Sequence, residues 1–242
     1  MPNTLELTYK NSFNKVFIFL FLVLVSFRSM AQEPKPTIVY IFDPICGWCY
    51  TFNPIIDKLH AKFKHKADFV VVSGGMIIDD RVKPISVMSE FILSGYEDME
   101  NMTGVKFGTP YIEMVKEGKE LLDSEKPARA MTAFQTLHPH KALEFARKLQ
   151  ESHFLHGKSY NNDSTYTHLA NHFGLKSAEF LQIVNSDSTK TATRNDFKKV
   201  EEAGINGFPT LLIKINGQVS PITHGFEKYE KLEKKIEKLL NQ

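Results

Sequence analysis

The chain has 242 residues, 42% of them hydrophobic and 24% charged, which is typical of a globular protein with a substantial core and unlike disordered or collagen-like chains. It contains only two cysteines, too few for a disulfide-stapled scaffold. The net charge is +2, and because residues 1–31 carry three basic and one acidic residue, the rest of the chain is neutral and gives no reason to expect nucleic-acid binding.

An apolar segment near the amino terminus predicts export. Residues 16–27 are almost entirely apolar and follow two lysines, and the small residues Ser29 and Ala31 have the spacing of a signal-peptidase site. The segment is shorter than the about 20 residues of a membrane-spanning helix. We therefore expect residues 1–31 to be a signal peptide, leaving an exported, periplasmic or otherwise extracytoplasmic chain with no membrane association. The alternatives are an uncleaved signal anchor and a buried core helix.

The segment that follows the signal peptide predicts a βαβ unit. Residues 37–42 and 68–73 are rich in β-branched and aromatic residues, as is typical of buried strands. Between them, residues 46–64 have apolar side chains at helical spacing. Two strands joined by one helix over so short a connection are expected to be parallel.

Residues 84–204 predict a large helical segment. Prolines near helix starts, glycines after helix ends and apolar residues at helical spacing divide it into several helices. We expect helices that begin near Thr109 and Pro127, and helices over residues 140–156, 164–172, 177–184 and 191–203.

Strands return in the carboxyl-terminal segment. The dipeptide Asn216-Gly217 separates two apolar runs, which is the strongest short hairpin signal. We therefore expect strands over residues 210–215 and 218–222. An amphipathic helix over residues 226–240 is expected to close the chain.

Both cysteines lie in the tetrapeptide Cys46-Gly47-Trp48-Cys49, at the start of the first predicted helix. A sulfur at a helix amino terminus receives backbone N–H groups and the positive end of the helix dipole, which stabilise a thiolate. Such a thiolate attacks a partner disulfide, and a second cysteine one turn behind resolves the mixed disulfide. The pair therefore predicts thiol–disulfide exchange without a cofactor or a metal.

Two other uses of the cysteine pair remain open. A structural zinc site normally needs four ligands, but the chain has no second cysteine pair. His153 and His156 lie three residues apart, in a predicted helix where surface histidines are common. A Cu(I) or zinc carrier could still use the two cysteines as soft ligands. An inert disulfide closing so small a loop would add little stability by chain entropy.

A second motif, Gly207-Phe208-Pro209-Thr210, stands just before a predicted strand. A proline that enters a strand cannot donate a hydrogen bond to the neighbouring strand. Since only about 5–6% of X-Pro bonds in folded proteins are cis, a trans bond would be expected from this motif alone. The distant cysteine pair makes a cis Phe208–Pro209 bond the better prediction.

The residues DPICGWCY (43–50), then Pro54, and much later GINGFPTLL (204–212) resemble the thioredoxin superfamily. The long helical segment between the motifs resembles the DsbA-like branch, in particular its D-P-x-C-x-W-C members related to predicted protein-disulfide isomerases. This resemblance implies an α/β protein with a thioredoxin fold, βαβ followed by ββα, whose halves, residues 32–83 and 205–242, are separated by a large all-helical insertion.

The resemblance also implies roles for individual residues. Cys46 would be the nucleophile and Cys49 the resolving thiol of a redox-active disulfide. Pro209 would be the cis-proline packed against that disulfide, and the backbone of Phe208 would hydrogen-bond an extended substrate segment. Trp48, the only tryptophan, would either pack locally or contact substrate.

Two features depart from the family pattern. Many relatives bury a carboxylate six residues before the first cysteine, where it assists proton transfer, but this chain has Tyr40 there. Asp43 is acidic and is expected only to cap the turn, so no proton acceptor is assigned. The dipeptide Gly47-Trp48, which tunes the reduction potential, differs from that of the best-known strong oxidants. The direction of electron flow therefore stays undetermined.

We expect an exported protein disulfide oxidoreductase or isomerase that acts on protein thiol and disulfide substrates and is recycled by a separate redox partner. A monomer is expected, because the five residues between Ala31 and Thr37 are too few for a dimerisation stem. The alternative is a glutathione-dependent isomerase of the kappa type. Such enzymes rely on a hydroxyl or a lone thiol, so the intact cysteine pair argues against this alternative.

Overall fold

The computed structural model of the protein describes residues 35–241. The predicted signal peptide, residues 1–31, lies outside the described residues. Within the described part of the chain, no helix has the length and apolar character needed to span a membrane.

Two sheets and a set of helices make up the described chain. The strands are β1 (Thr37–Phe42), β2 (Asp68–Ser73), β3 (Lys83–Pro84), β4 (Leu121–Leu122), β5 (Thr210–Ile215) and β6 (Gln218–His224). The helices are α1 (Gly47–Phe63), α2 (Ser89–Thr103), α3 (Thr109–Glu117), α4 (Glu125–Leu137), α5 (Ala142–Phe154), α6 (Asp163–His172), α7 (Ser177–Val184), α8 (Asp187–Glu202) and α9 (Tyr229–Leu240).

The larger sheet has the strand order β2-β1-β5-β6. Strand β1 runs parallel to β2 and antiparallel to β5, and β5 pairs antiparallel with β6. The β5–β6 turn is Asn216-Gly217, with φ angles of 50° and 84°, the left-handed conformation that a tight hairpin requires. The predicted bounds of β1, β2 and β5 are confirmed, and β6 continues two residues beyond the prediction.

Several helix bounds differ from the predictions for local reasons. Helix α3 is capped by Gly108 rather than Thr109, and a Cβ atom at Gly108 would lie 1.8 Å from the carbonyl oxygen of Leu155, so only glycine allows this approach. Helix α8 begins at Asp187, four residues early, because the Ser186 side chain accepts the N–H of Thr189.

The segment between the sheet halves is helical apart from one short ladder. Strands β3 and β4 pair antiparallel, with Lys83 opposite Leu122, and the Ile85 N–H donates to the Glu120 carbonyl beside them at 2.7 Å. Helix α2, which the sequence pattern did not delimit, begins just after this ladder. One continuous apolar core joins the sheet, α1, α9 and most of the inserted helices. The predicted thioredoxin fold with a DsbA-like insertion is confirmed, but the insertion is not all-helical as predicted, because Leu121–Leu122 pairs with Lys83–Pro84.

Candidate active site

The loop after β1 positions the first cysteine at the start of α1. Cys46 is the N-cap residue, with φ −85° and ψ 114°, and its carbonyl accepts the N–H groups of Cys49 and Tyr50 at 3.0 and 3.1 Å. The first turn of α1 contains no acidic residue. The positive end of the helix dipole is therefore available to a thiolate on Cys46.

The two sulfurs have different environments. Both cysteines are free thiols; Cys46 is 7% exposed, whereas Cys49 is completely buried. Burial raises the pKa of the Cys49 thiol well above its usual range, and the neighbouring Cys46 sulfur and the charge of Asp43 raise it further. The outer sulfur is thus the one that a substrate can reach, and the inner sulfur stays protonated until its surroundings change.

The downstream proline motif lies against the cysteine pair. The Cys46 thiol donates to the carbonyl oxygen of Phe208 at 3.7 Å, and the Phe208–Pro209 peptide bond is cis, as the resemblance implies. The Phe208 ring covers Gly74, where a Cβ atom would lie 2.1 Å from the ring. Gly74 therefore leaves room for the Phe208 ring.

The dipeptide between the cysteines has one packed and one unconstrained residue. Trp48 is half-buried and packs against Phe226, with ring centroids 5.5 Å apart. A Cβ atom at Gly47 would make only ordinary contacts, at 3.5 Å or more, with the side chains of Met99 and Phe107. Trp48 therefore packs locally, as one of its two expected roles requires, and its contact with substrate stays a prediction.

Asp43 does more than cap the turn. Its carboxylate accepts the Ile45 N–H at 3.1 Å, as expected for a turn cap, but also the Met76 N–H at 2.7 Å and the Ser124 hydroxyl at 2.9 Å. The side chain is fully buried. Burial raises the pKa of Asp43 to about 6, although these hydrogen bonds oppose the shift. A buried carboxylate therefore lies beside the cysteine pair, contributed by the loop rather than by β1.

An apolar cavity of about 390 Å³ opens beside Cys46. Helix α2 forms one wall, and the lining includes Trp48, Met76, Phe91 and Met99. Phe91 is 73% exposed, a large apolar side chain at the surface. Sequence reasoning missed this surface because α2 has no fully buried residue and gives only a weak core pattern.

The two histidines considered as metal ligands, His153 and His156, differ in their burial. His153 is buried, not on the surface as expected, because its ring stacks on Tyr160 with centroids 4.5 Å apart. Burial lowers its pKa, so it is neutral near pH 7. His156 is exposed beyond the end of α5. Within residues 35–241, no group of three or more His, Cys, Asp or Glu side chains is arranged to hold a metal ion.

A cysteine pair at a helix start, faced by a cis-proline and flanked by a helical insertion, defines the DsbA-like class of thioredoxin-fold proteins. The model of a family described as Thioredoxin matches residues 40–234. The chain belongs to this thioredoxin family.

Curated relatives of the chain include the ClpXP adapter protein SpxH of Halalkalibacterium halodurans. The two sequences are 25% identical over 188 residues, which cover 75% of this chain and 60% of that protein. The chain spans about three fifths to two thirds of the length of the curated relatives it matches.

Solved structures with the same fold include two disulfide oxidoreductases. A candidate protein disulfide isomerase of Nitrosomonas europaea has a TM-score of 0.76 at 23% identity, covering 86% of this chain and 99% of that one. The cytosolic disulfide reductase DsbM of Pseudomonas aeruginosa has a TM-score of 0.70 at 20% identity, covering 85% and 98%, and has also been solved with GSH. These likenesses show the fold.

Proposed function

We propose that this chain is an exported thiol–disulfide oxidoreductase that exchanges disulfides with protein substrates. Cys46 is the nucleophile and Cys49 the resolving thiol. The observation that carries the proposal is the contact between the Cys46 sulfur and the Phe208 carbonyl oxygen, 3.7 Å apart, with Cys46 also lining the apolar cavity. The contact places a backbone group that can bind substrate next to Cys46, the accessible sulfur of the pair.

The reaction follows from the order of the two sulfurs. The Cys46 thiolate attacks one sulfur of a substrate disulfide, a mixed disulfide forms, and the other substrate sulfur leaves as a thiolate that takes up a proton. Cys49 then attacks the Cys46 sulfur, which forms the Cys46–Cys49 disulfide and releases the second substrate thiol. Two electrons have passed to the substrate. Run in reverse, the same steps oxidise a substrate dithiol.

The substrate that fits this surface is an extended polypeptide segment. The backbone beside the cis-proline can pair with an extended chain, and the cavity next to Cys46 is lined mainly by apolar side chains. We therefore expect preference for substrate cysteines that have an apolar residue nearby. Phe91, at the exposed rim of the cavity, is the side chain most available to such a residue.

The test uses the fact that the chain contains only two cysteines. Cys49→Ser leaves Cys46 as the single thiol and should accumulate a mixed disulfide with an oxidised protein substrate, separable on a non-reducing gel. Cys46→Ser is the matched control, with the same number of thiols, and should accumulate none. Equal trapping by both variants, or exchange by Cys46→Ser at the wild-type rate, would overturn the assignment of Cys46.

Export is a separate part of the proposal. It is supported by the apolar amino-terminal segment and the small residues Ser29 and Ala31. Expression of the full chain in a bacterial host, followed by fractionation and amino-terminal sequencing, should yield a mature chain that starts at Gln32. A full-length chain recovered with the cytoplasm would contradict export and leave the exchange chemistry to be tested on its own.

Glutathione is the first small thiol to test as reductant, because the similar fold of DsbM has been solved with GSH. If GSH reduces the Cys46–Cys49 disulfide, that result would support glutathione as the reductant that recycles the protein. Tight GSH binding without thiol exchange would instead favour the kappa-type isomerase.

A second candidate function is that of a protein-binding adapter, because the curated relatives are ClpXP adapter proteins. Three exposed apolar side chains on α2 and on the segment just before it are available to a partner protein: Val87, Phe91 and Met102. A variant in which both cysteines are replaced by serine separates the functions. An adapter would still bind its partner, whereas an oxidoreductase would lose all activity.

A further inference from the structure

The phenol of Tyr40 lies in the centre of the sheet. Tyr40 pairs with Val71 of β2 and Leu211 of β5, and its side chain is completely buried. Its ring packs on Phe52, with centroids 5.9 Å apart, and Phe52 lies three residues after Cys49 on α1. The hydroxyl is thereby held on the side of the sheet that carries the cysteine pair.

The hydroxyl group of Tyr40 lacks a regular hydrogen-bond partner among the described residues. A buried hydroxyl without a partner is costly, and phenylalanine would fill the same apolar space without that cost. Burial raises the pKa of the Tyr40 phenol well above its usual range, and the nearby Cys49 and Cys46 side chains raise it further, which places the hydroxyl close to the cysteine pair. An unpartnered polar group in such a place calls for a functional explanation.

The Cys49 sulfur is a weak acceptor as a thiol and a strong one as a thiolate. Burial, the Cys46 sulfur and the Asp43 charge all oppose the thiolate, and a backbone hydrogen bond from Asp43 only partly offsets them. The Tyr40 hydroxyl is therefore a neutral side-chain donor placed where a negative charge must form and where these groups on balance disfavour it.

We propose that the Tyr40 hydroxyl donates a hydrogen bond to the Cys49 thiolate as the mixed disulfide is resolved, so that Tyr40 sets the pH range in which resolution occurs. Tyr40 is then a positioning residue that acts through Cys49. This inference rests on the proposed thiol–disulfide exchange.

The step balances without a further reactant. The Cys49 thiol gives up its proton, and the thiolate attacks the Cys46 sulfur while the bond from Cys46 to the substrate sulfur breaks. The substrate leaves as a thiolate and takes up a proton, and the two electrons of the broken bond leave with it. Tyr40 keeps its own proton throughout and only shares it with the developing charge.

Other ionisable groups act on the same sulfurs and must be separated from Tyr40. They are Asp43 from the loop, the Cys46 sulfur itself and, more weakly on Tyr40, Asp57 of α1. Asp43 titrates near pH 6. Asp43→Asn removes the ionisation of Asp43 from the pH profile, so that the contribution of Tyr40 can be measured without it.

The test follows resolution directly in the full chain. The reduced protein is mixed with Ellman's reagent, which forms a mixed disulfide on Cys46, and release of the second thionitrobenzoate by Cys49 is followed by stopped flow between pH 5 and pH 10. Tyr40→Phe should slow this release about tenfold near neutral pH and move its midpoint up by about one pH unit, because the thiolate loses a charge-assisted hydrogen bond.

Tyr166→Phe is the matched control. Tyr166 is also completely buried, but its hydroxyl already donates to the Tyr160 carbonyl at 2.6 Å. Its removal should lower stability and leave the midpoint of release unchanged, whereas Tyr40→Phe should fold at least as well as wild type because no regular hydrogen bond is lost. A midpoint in Tyr40→Phe equal to that of wild type would overturn the inference. A wild type that never releases the second thionitrobenzoate would instead overturn the proposed function.

Discussion

The Cys46 sulfur lies 3.7 Å from the Phe208 carbonyl oxygen, although the two residues are 162 positions apart in the chain. The antiparallel pairing of β1 with β5 makes this contact possible, because the end of β1 lies beside the start of β5. Cys46 follows the end of β1, and Phe208 precedes the start of β5. The sheet, rather than the chain between the two residues, therefore brings them together.

Gly74 is expected to control the position of the Phe208 ring. In Gly74→Ala the new Cβ atom would meet that ring at 2.1 Å, so the ring must move. We expect a lower rate of exchange with protein substrates and a loss of roughly 1–3 kcal/mol in the free energy of unfolding, measured in urea. Gly95→Ala is the control for the unfolding measurement alone, because Gly95 lines the cavity beside Cys46. Gly95 is inside α2, no atom lies within 4 Å of an added Cβ atom, and alanine there should add about 0.5–1 kcal/mol. Wild-type exchange by Gly74→Ala would contradict this role.

Asp43 is expected to give the protein a distinct pH dependence of stability. Its pKa in the folded chain, about 6, lies above the ordinary value of 3.8, so the folded state binds the proton more tightly than the unfolded state. Its contribution to the free energy of unfolding is therefore fully present below about pH 4 and is lost as the pH rises through 6, a change of roughly 3 kcal/mol.

Urea unfolding of wild type and Asp43→Asn across pH 4 to 8 measures this effect. The wild-type free energy of unfolding, minus that of the variant, should decrease as the pH rises and level off above the folded pKa. A difference that is constant with pH would show that folding does not raise the pKa of Asp43.

Phe91 is expected to contribute to the choice of substrate. Because this side chain is 73% exposed, Phe91→Ser should cost little stability. The ratio of exchange rates, protein substrate over small disulfide reagent, should fall about three- to tenfold because one apolar contact is lost. Val219→Ser, at an exposed position of β6 outside the cavity lining, is the control and should leave this ratio unchanged. An unchanged ratio in Phe91→Ser would remove α2 from the substrate surface.

Phe226 is expected to determine the fluorescence of Trp48, the only tryptophan. The two rings lie 5.5 Å apart, so Phe226→Leu should expose the indole, move its emission to longer wavelength and cost about 0.5–1.5 kcal/mol beyond the lost buried area. Phe173→Leu removes a half-buried ring that packs on Phe134 at 4.7 Å, and should leave the emission unchanged. The same emission shift in both variants would mean that it reports general loosening.

The chemistry and the strand pattern were readable from local sequence. The two cysteines lie in one tetrapeptide at a helix start. The strands have a β-branched and aromatic composition, and Asn216-Gly217 specifies a hairpin by itself. Each of these features depends on residues close in the chain, where spacing alone determines geometry. The sequence by itself thus predicted the order of strands and helices and the candidate reactive pair, and the resemblance of its two motifs to the thioredoxin superfamily implied the fold.

Only the tertiary structure decided what surrounds that pair. Four features depend on segments far apart in the chain: the Tyr40 hydroxyl without a partner among residues 35–241, the second and third hydrogen bonds of Asp43, the space that Gly74 leaves for Phe208, and the cavity beside α2. No periodicity or spacing encodes them, because each arises where separate elements pack on one core, and burial rather than sequence distance sets the energy of a polar group there.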